Sequence, residues 1–325
     1  MTIRTRLTDV LGIEHPVMLA GMGGVSYHRL CAAVSEAGGF GTLGAVTMLG
    51  DALAQEMAEV RELTDKPFGV DLLTAMPGDM TPAVEQLIAG GATVFVGALG
   101  VPRDVIELCH EHQVLVVNMC GKVRHAVAAV EAECDVVVAQ GTEAGGHTGQ
   151  VATFPLVPQI VDAVGDRVPV VAAGGISDGR HLAAALALGA DGIWVGTRFI
   201  ATPEARSVPY YKDKLLAAHE DDTTVSRAFT GKTLRALRNS YTDYFEAHPD
   251  ELEPFPAQMA RSFQDGALHL MADETAQGVD PDKECFPAGQ GVGAIHELVP
   301  AGELVHRFVD EAERALAKWA TSGAI

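Results

Sequence analysis

The chain has 325 residues, 48% of them hydrophobic and 6% aromatic, enough to bury a large core. Its formal net charge of −20 argues against binding nucleic acid, which needs clustered Lys and Arg. Cys31, Cys109, Cys120, Cys134 and Cys285 form no CxxC and no metal-ligand spacing, so a reducing cytoplasmic setting and no metal are expected.

The N-terminal stretch MTIRTRLTDVLGI lacks the apolar core of a signal peptide, and no run reaches the ~18 apolar residues of a membrane span. Eight short apolar runs follow: HPVMLA (15–20), FGTLGA (40–45), PFGVDLL (67–73), TVFVGAL (93–99), LVVNMC (115–120), DVVVAQG (135–141), VPVVAAGG (168–175) and GIWVGTRF (192–199). Between them, HRLCAAVSEAG, AVEQLIAGG, RDVIELCHEH and GRHLAAALALGA place apolar residues at helical spacing. Runs that are apolar throughout indicate strands covered on both faces, hence a parallel sheet. Eight βα units predict an α/β TIM barrel, with a doubly wound sheet as the second architecture. From 207 to 298 the stretches YYKDKLLAAHE, KTLRALRNSYTDYFEA and FPAQMARSFQDGAL read as helices, and no comparable strand run occurs. This predicts a smaller helical cap inserted after strand eight. The barrel then takes residues 1–206 and 299–325, and the amphipathic ELVHRFVDEAERALAKWA returns to its wall as the last helix.

In a TIM barrel the chemistry lies at the C-terminal strand ends. There the first run leads into Gly21, Met22 and Gly23, the third ends at Asp71, and the fifth ends in Asn118, Met119 and Cys120. The seventh and eighth end in Gly174-Gly175 and Gly196-Thr197. Glycines after these last two strands let backbone N–H groups approach a phosphate, of a substrate or of a cofactor such as FMN. GxGxxG occurs literally at Gly39–Gly44, but inside a strand and after a helical stretch, so it is rejected as a nucleotide fingerprint. The late Gly289-Gln290-Gly291-Val292-Gly293 reads as a loop whose amides can reach the mouth if the cap folds back.

The sixth run leads into AQGTEAGGHTG, where flanking glycines leave one face of His147 open to a ligand. His147 is therefore the candidate catalytic acid or base. Glu143 is a weaker candidate. His110 and His112 lie two apart on a helix and make no metal pair. Lys232, Arg235 and Arg238, spaced by three, read as one helix face that could meet an anionic substrate portion or an acyl-carrier partner.

AGGHTG, AAGGISDGR, GADGIWVGTRF, PAGQGVG and LTDKPFGVDLL together resemble the nitronate monooxygenase family, formerly called 2-nitropropane dioxygenases, from about residue 5 to 320. That family also contains FMN-dependent enoyl-acyl-carrier-protein reductases and NADH:quinone reductases. The resemblance implies a capped TIM barrel with non-covalent FMN and His147 as the catalytic residue. It places FMN contacts on Gly21, Met22, Gly23, Gln140, Gly145, Gly146, Ala173, Gly174, Gly175, Gly196, Thr197 and Gln290. It implies oxidation of nitronates or nitroalkanes with oxygen, or alternatively NAD(P)H-dependent reduction of an enoyl thioester or quinone. A non-redox phosphate-binding barrel and a flavin-bound sensor are the more distant readings. Four residues depart from the family pattern. Leu19 and Ala20 stand where many members have glutamine, Asp71 where many have asparagine, and Met119 where some have a basic residue.

Overall fold

A computed structural model describes residues 3–48, 50–72, 79–98 and 100–320. Among these residues are eleven strands: β1 (Val17–Leu19), β2 (Gly41–Gly44), β3 (Phe68–Leu72), β4 (Val94–Ala98), β5 (Leu115–Cys120), β6 (Val136–Gln140), β7 (Gly146–His147), β8 (Val170–Ala173), β9 (Gly192–Val195), β10 (Thr223–Ser226) and β11 (Leu234–Leu237). Each of the eight apolar runs contains one strand of a single parallel sheet. Leu73 and Leu99, at the ends of the third and fourth runs, lie outside the described residues. The strand order is β1-β9-β8-β6-β5-β4-β3-β2. The two edges meet through a parallel bridge between Met18 and Phe40, with Leu19 N donating to Phe40 O at 2.8 Å. The sheet is thus a nearly closed TIM barrel rather than a doubly wound sheet.

Alternation along the strands sorts side chains inside and outside. Met18, Phe40, Val94, Val96, Val117, Val136, Val138, Val171 and Trp194 fill the barrel interior. Leu7 and Leu11, from the helix Arg6–Leu11, join this cluster at the opposite end from the strand termini that carry the candidate site. The outward set, among it Val17, Phe68, Val70, Val116, Val137 and Val170, packs under the helical layer. The helix Ala301–Ala320 returns to the wall as the sequence predicts. It lies so close to the helix Gly179–Ala187 that a Cβ on Gly179 would sit 2.3 Å from Phe308 O.

The segment after strand eight is not wholly helical. It holds the helices Tyr211–Ala217, Ser240–Ala247 and Ala257–Gln264, but β10 and β11 form an antiparallel hairpin ahead of the second. β11 then pairs antiparallel with β7, on the loop after β6, in register Leu234 with His147 and Arg235 with Gly146. Within the stretch KTLRALR, Leu234–Leu237 is therefore strand, and helix begins only at Ser240. There Asn239 caps the helix by accepting from the Tyr241 and Thr242 amides. The basic side chains Lys232, Arg235 and Arg238 accordingly share no helix face. Among the described residues no helix is long and apolar enough to cross a membrane.

Candidate active site

The loop after β1 is held by its own backbone. Met22 N donates to Ser26 Oγ at 2.7 Å, and the Val25 and Ser26 amides donate to Met22 O at 3.0 Å each. It lies directly on the end of β2, where a Cβ on Gly44 would stand 2.3–2.6 Å from the Met22 backbone. That close approach, not nucleotide binding, explains a glycine of the rejected GxGxxG. On the other side Met22 reaches Gly196, whose added Cβ would lie 3.3 Å from Met22 Sδ.

From Gly196 a continuous set of contacts joins the remaining predicted cofactor residues. Thr197 Oγ1 accepts from Gly289 N at 2.9 Å, and Gln290 N donates to Glu143 O at 2.9 Å. Gly145 abuts this segment so closely that a Cβ there would lie 2.8 Å from Ala288 C and Gly289 N. Gly174 and Gly175 adopt positive φ of 107° and 73°, which glycine tolerates and other residues rarely do. Ala173 pairs in register with Gln140. The twelve residues thus converge at one end of the barrel.

Two features there suit an anion. Among the described residues the backbone N–H groups of Gly175, Gly196 and Thr197 donate to no backbone oxygen. Ser177 Oγ is buried without a hydrogen-bond partner. It lines a cavity of ≈ 460 Å³ with Gly174, Gly175, Gln290 and Gly291. Donors left free around such a space are what a phosphate group requires.

His147 lies beside these loops. Gln140 Nε2 donates to His147 O at 2.8 Å, and pairing with Leu234 fixes the strand from the cap side. Gly146, at φ 75°, has nothing within 4 Å of where a Cβ would be, so the space flanking the histidine is open. The His147 Nε2 to Thr230 Oγ1 distance is 3.0 Å. Thr230 Oγ1 also donates to Lys232 O and accepts from Lys232 N, both at 3.3 Å. With its own proton so placed, the hydroxyl accepts Nε2–H, which leaves the lone pair on Nδ1. This tautomer is assigned from the network. The ring can be reached from solvent, yet surrounding protein desolvates it. Burial first, and the Lys232 charge second, lower its pKa from the ordinary histidine value. Both causes favour the neutral imidazole, a base at neutral pH.

Other expectations find structural roles. Glu143 Oε2 accepts from Thr153 N and Thr153 Oγ1, both at 2.7 Å, and so holds the start of the helix Thr153–Val164. Arg235 is buried and fastens the hairpin to the loop, donating to Thr142 O at 2.8 Å and Thr223 Oγ1 at 3.0 Å. Exposed Arg238 pairs with Asp243 and Glu246. Of the three basic residues only Lys232 acts on His147, and its ammonium lies 4.1 Å above the Phe255 ring. His110 binds Asp135 at 2.9 Å. Asn118 faces the helices rather than the mouth, beside Cys134. All five cysteines are free and buried, and burial pushes Cys109 and Cys120 up to about 12, so they offer no thiolate. Thr230 carries no signal in FTGKT that would mark it, because it meets His147 only through the hairpin.

A TIM barrel with an open-faced histidine beside a glycine-built anion cradle defines an enzyme class that takes a phosphate-bearing substrate or cofactor at its strand ends. The chain matches the nitronate monooxygenase family over residues 4–311 and belongs to it. A Mycobacterium tuberculosis relative, named (3aS,4S,5R,7aS)-5-hydroxy-7a-methyl-1-oxo-octahydro-1H-indene-4-carboxyl-CoA dehydrogenase, is 41% identical over 76% of this chain and 70% of its own length. The structure is similar to that of FabK from Thermotoga maritima, at 35% identity and TM-score 0.88, covering 98% of this chain and 99% of that one. It is also similar to a nitroalkane oxidase from Streptomyces ansochromogenes, at 31% identity and TM-score 0.84, covering 96% and 99%.

Proposed function

We propose that this oxidoreductase binds FMN and oxidises alkyl nitronates and nitroalkanes with oxygen, with His147 as the catalytic residue. The observation that carries the reading is His147 itself: a desolvated, neutral imidazole beside open space, with one nitrogen engaged and one free. FMN fits the site because the described residues offer a phosphate-sized cradle, with amides at Gly175, Gly196 and Thr197 that meet no backbone oxygen and the unpartnered Ser177 hydroxyl. Gly21, Met22, Gly23, Gln140, Gly145, Gly146, Ala173, Gly174 and Gln290 complete its surroundings. The sequence offers no Rossmann unit to hold the second half of FAD.

When bound, FMN supplies the redox chemistry. The chain supplies a proton acceptor and its orientation. His147 Nδ1 takes the α-proton of a neutral nitroalkane, and Thr230 and Gln140 hold the ring and the backbone that carry it. The resulting imidazolium then adds positive charge beside the nitronate. For a substrate already ionised, no proton is removed. The test is anaerobic bleaching of the bound flavin by neutral nitroalkane and by preformed nitronate, in wild type and His147→Ala. The variant should retain FMN and lose roughly 10²–10⁴-fold with the neutral substrate, the usual contribution of a general base. The loss should be smaller with the nitronate. Equal rates in both proteins with both substrates would remove His147 from the mechanism.

Whole-length similarity to FabK, and similarity over 76% of this chain to a dehydrogenase named for a CoA thioester, support a second reading: NAD(P)H-dependent reduction of an enoyl thioester or quinone. NADH oxidation assayed without oxygen, in the presence of an enoyl-CoA or a quinone, separates the two.

A further inference from the structure

Strand alternation places one residue from each barrel strand at the floor of the mouth. Two residues beyond the inward Met18, Val117, Val138, Val171 and Trp194 on their own strands come Ala20, Met119, Gln140, Ala173 and Gly196, and at the same ends of β2 and β3 Gly44 pairs with Asp71. All but two are apolar or lack a side chain. The Gln140 amide is committed to His147 O. Asp71 is therefore the ionisable group of this floor among the described residues.

Its surroundings offer no counter-charge. Gly44 lies beside it on β2 and Val96 on β4. The loop after β1 lies against it so tightly that a Cβ on Gly21 would be 2.2 Å from Asp71 Cβ and 2.5 Å from Oδ2. No titratable or charged group of these elements, nor of the turn Ala45–Thr47, faces it among the described residues. No described residue hydrogen-bonds its carboxyl. The side chain is part-exposed at the strand end, yet the protein packed around it desolvates the carboxyl, and that desolvation raises its pKa well above the ordinary aspartate value. An unpaired carboxylate is costly in such a place, whereas a carboxylic acid is a compact hydrogen-bond donor.

We propose that Asp71 works as a neutral carboxylic acid at the barrel mouth, donating a hydrogen bond to the bound flavin, and that its ionisation weakens cofactor binding by removing that donor and placing a negative charge at the site. The inference rests on the FMN reading above. Its consequence is a proton-linked affinity. Cofactor binding holds the proton on Asp71, so affinity is full while the apoprotein keeps Asp71 protonated. It declines as pH rises between the pKa of Asp71 without FMN and its higher value with FMN, by about tenfold per pH unit inside that window.

The test is the FMN dissociation constant of the apoprotein, read from quenching of FMN fluorescence between about pH 6 and 9, for wild type, Asp71→Asn and Asp71→Leu. The phosphate of FMN also titrates, so each variant is expressed as a ratio to wild type at the same pH. Asparagine keeps a donor and cannot ionise. Asp71→Asn should match wild type at the acid end and bind progressively better than it as pH rises. Asp71→Leu should bind at least several-fold worse than Asp71→Asn throughout. Ratios constant across the range, or Asp71→Leu binding as tightly as Asp71→Asn, would overturn the role of Asp71 while leaving the flavin reading intact. Failure of all three proteins to take up FMN would instead refute that reading and the proposal with it.

Discussion

Thr230→Val replaces the hydroxyl at His147 Nε2 with a methyl of similar shape in a buried position. Without it, nothing in the network selects the tautomer whose Nδ1 lone pair faces the mouth. A neutral hydrogen bond of this kind contributes a net 0.5–1.5 kcal/mol. At 1.36 kcal/mol per decade, kcat/KM for a neutral nitroalkane should fall roughly 2- to 13-fold. A preformed nitronate needs no base, so its rate should change little. The Lys232 amide also loses its 3.3 Å acceptor, which should cost at most about 1 kcal/mol of stability. Rates are therefore compared on protein shown to be folded and loaded with FMN. Stopped-flow flavin bleaching with each substrate form gives the two numbers. Unchanged rates with the neutral substrate, or an equal loss with both forms, would refute the tautomer argument.

Lys232→Met removes the charge that helps depress the His147 pKa, so the acid limb of the pH–rate profile for a neutral nitroalkane should move to higher pH. In wild type that rate should rise with pH through a pKa below the ordinary histidine value of about 6.5 and then level off. Gly196→Val should weaken FMN binding, measured by equilibrium dialysis, because even its Cβ would press on Met22 at 3.3 Å and the branch adds to this. Gly145→Ala should lower the urea midpoint by the equivalent of about 1–3 kcal/mol, since its Cβ meets the backbone of Ala288 and Gly289. Gly146→Ala next to it enters open space and should cost only the positive φ, about 1–2 kcal/mol. Equal and negligible losses at both glycines would contradict the packing of this loop.

The barrel was legible because each of its strands is buried on both faces, so burial wrote an uninterrupted apolar run such as Val136-Val137-Val138. The cap hairpin was not. β10 is the short polar TTVS, and β11 is four residues whose neighbours Leu234 and Leu237 also fit helical spacing. Four residues cannot distinguish a period of two from one of 3.6, and Asn239, which marks where helix begins, looks like any loop residue until its side chain is seen. Glycine clusters disclosed the cradle because close backbone approach excludes side chains. The partners of His147 stayed hidden because Thr230 lies 83 residues away and is brought in by tertiary pairing alone. Arg235 was misread for the same reason, its guanidinium being used up on Thr142 and Thr223.

The pairing of β7 with β11 makes His147 and the inserted segment parts of one sheet. In many barrels the lid can be traded while the chemistry stays with the strands. Here His147 takes its backbone register from Leu234 and its tautomer from Thr230, both carried by the inserted segment. Exchanging residues 207–298 between relatives would therefore give His147 a new setting, and if His147 is the proton acceptor proposed above, its chemistry would change together with the segment. Reactivity and substrate choice would be inherited as a single trait, and a cap graft that preserves the hairpin register is the form in which this scaffold can be recombined.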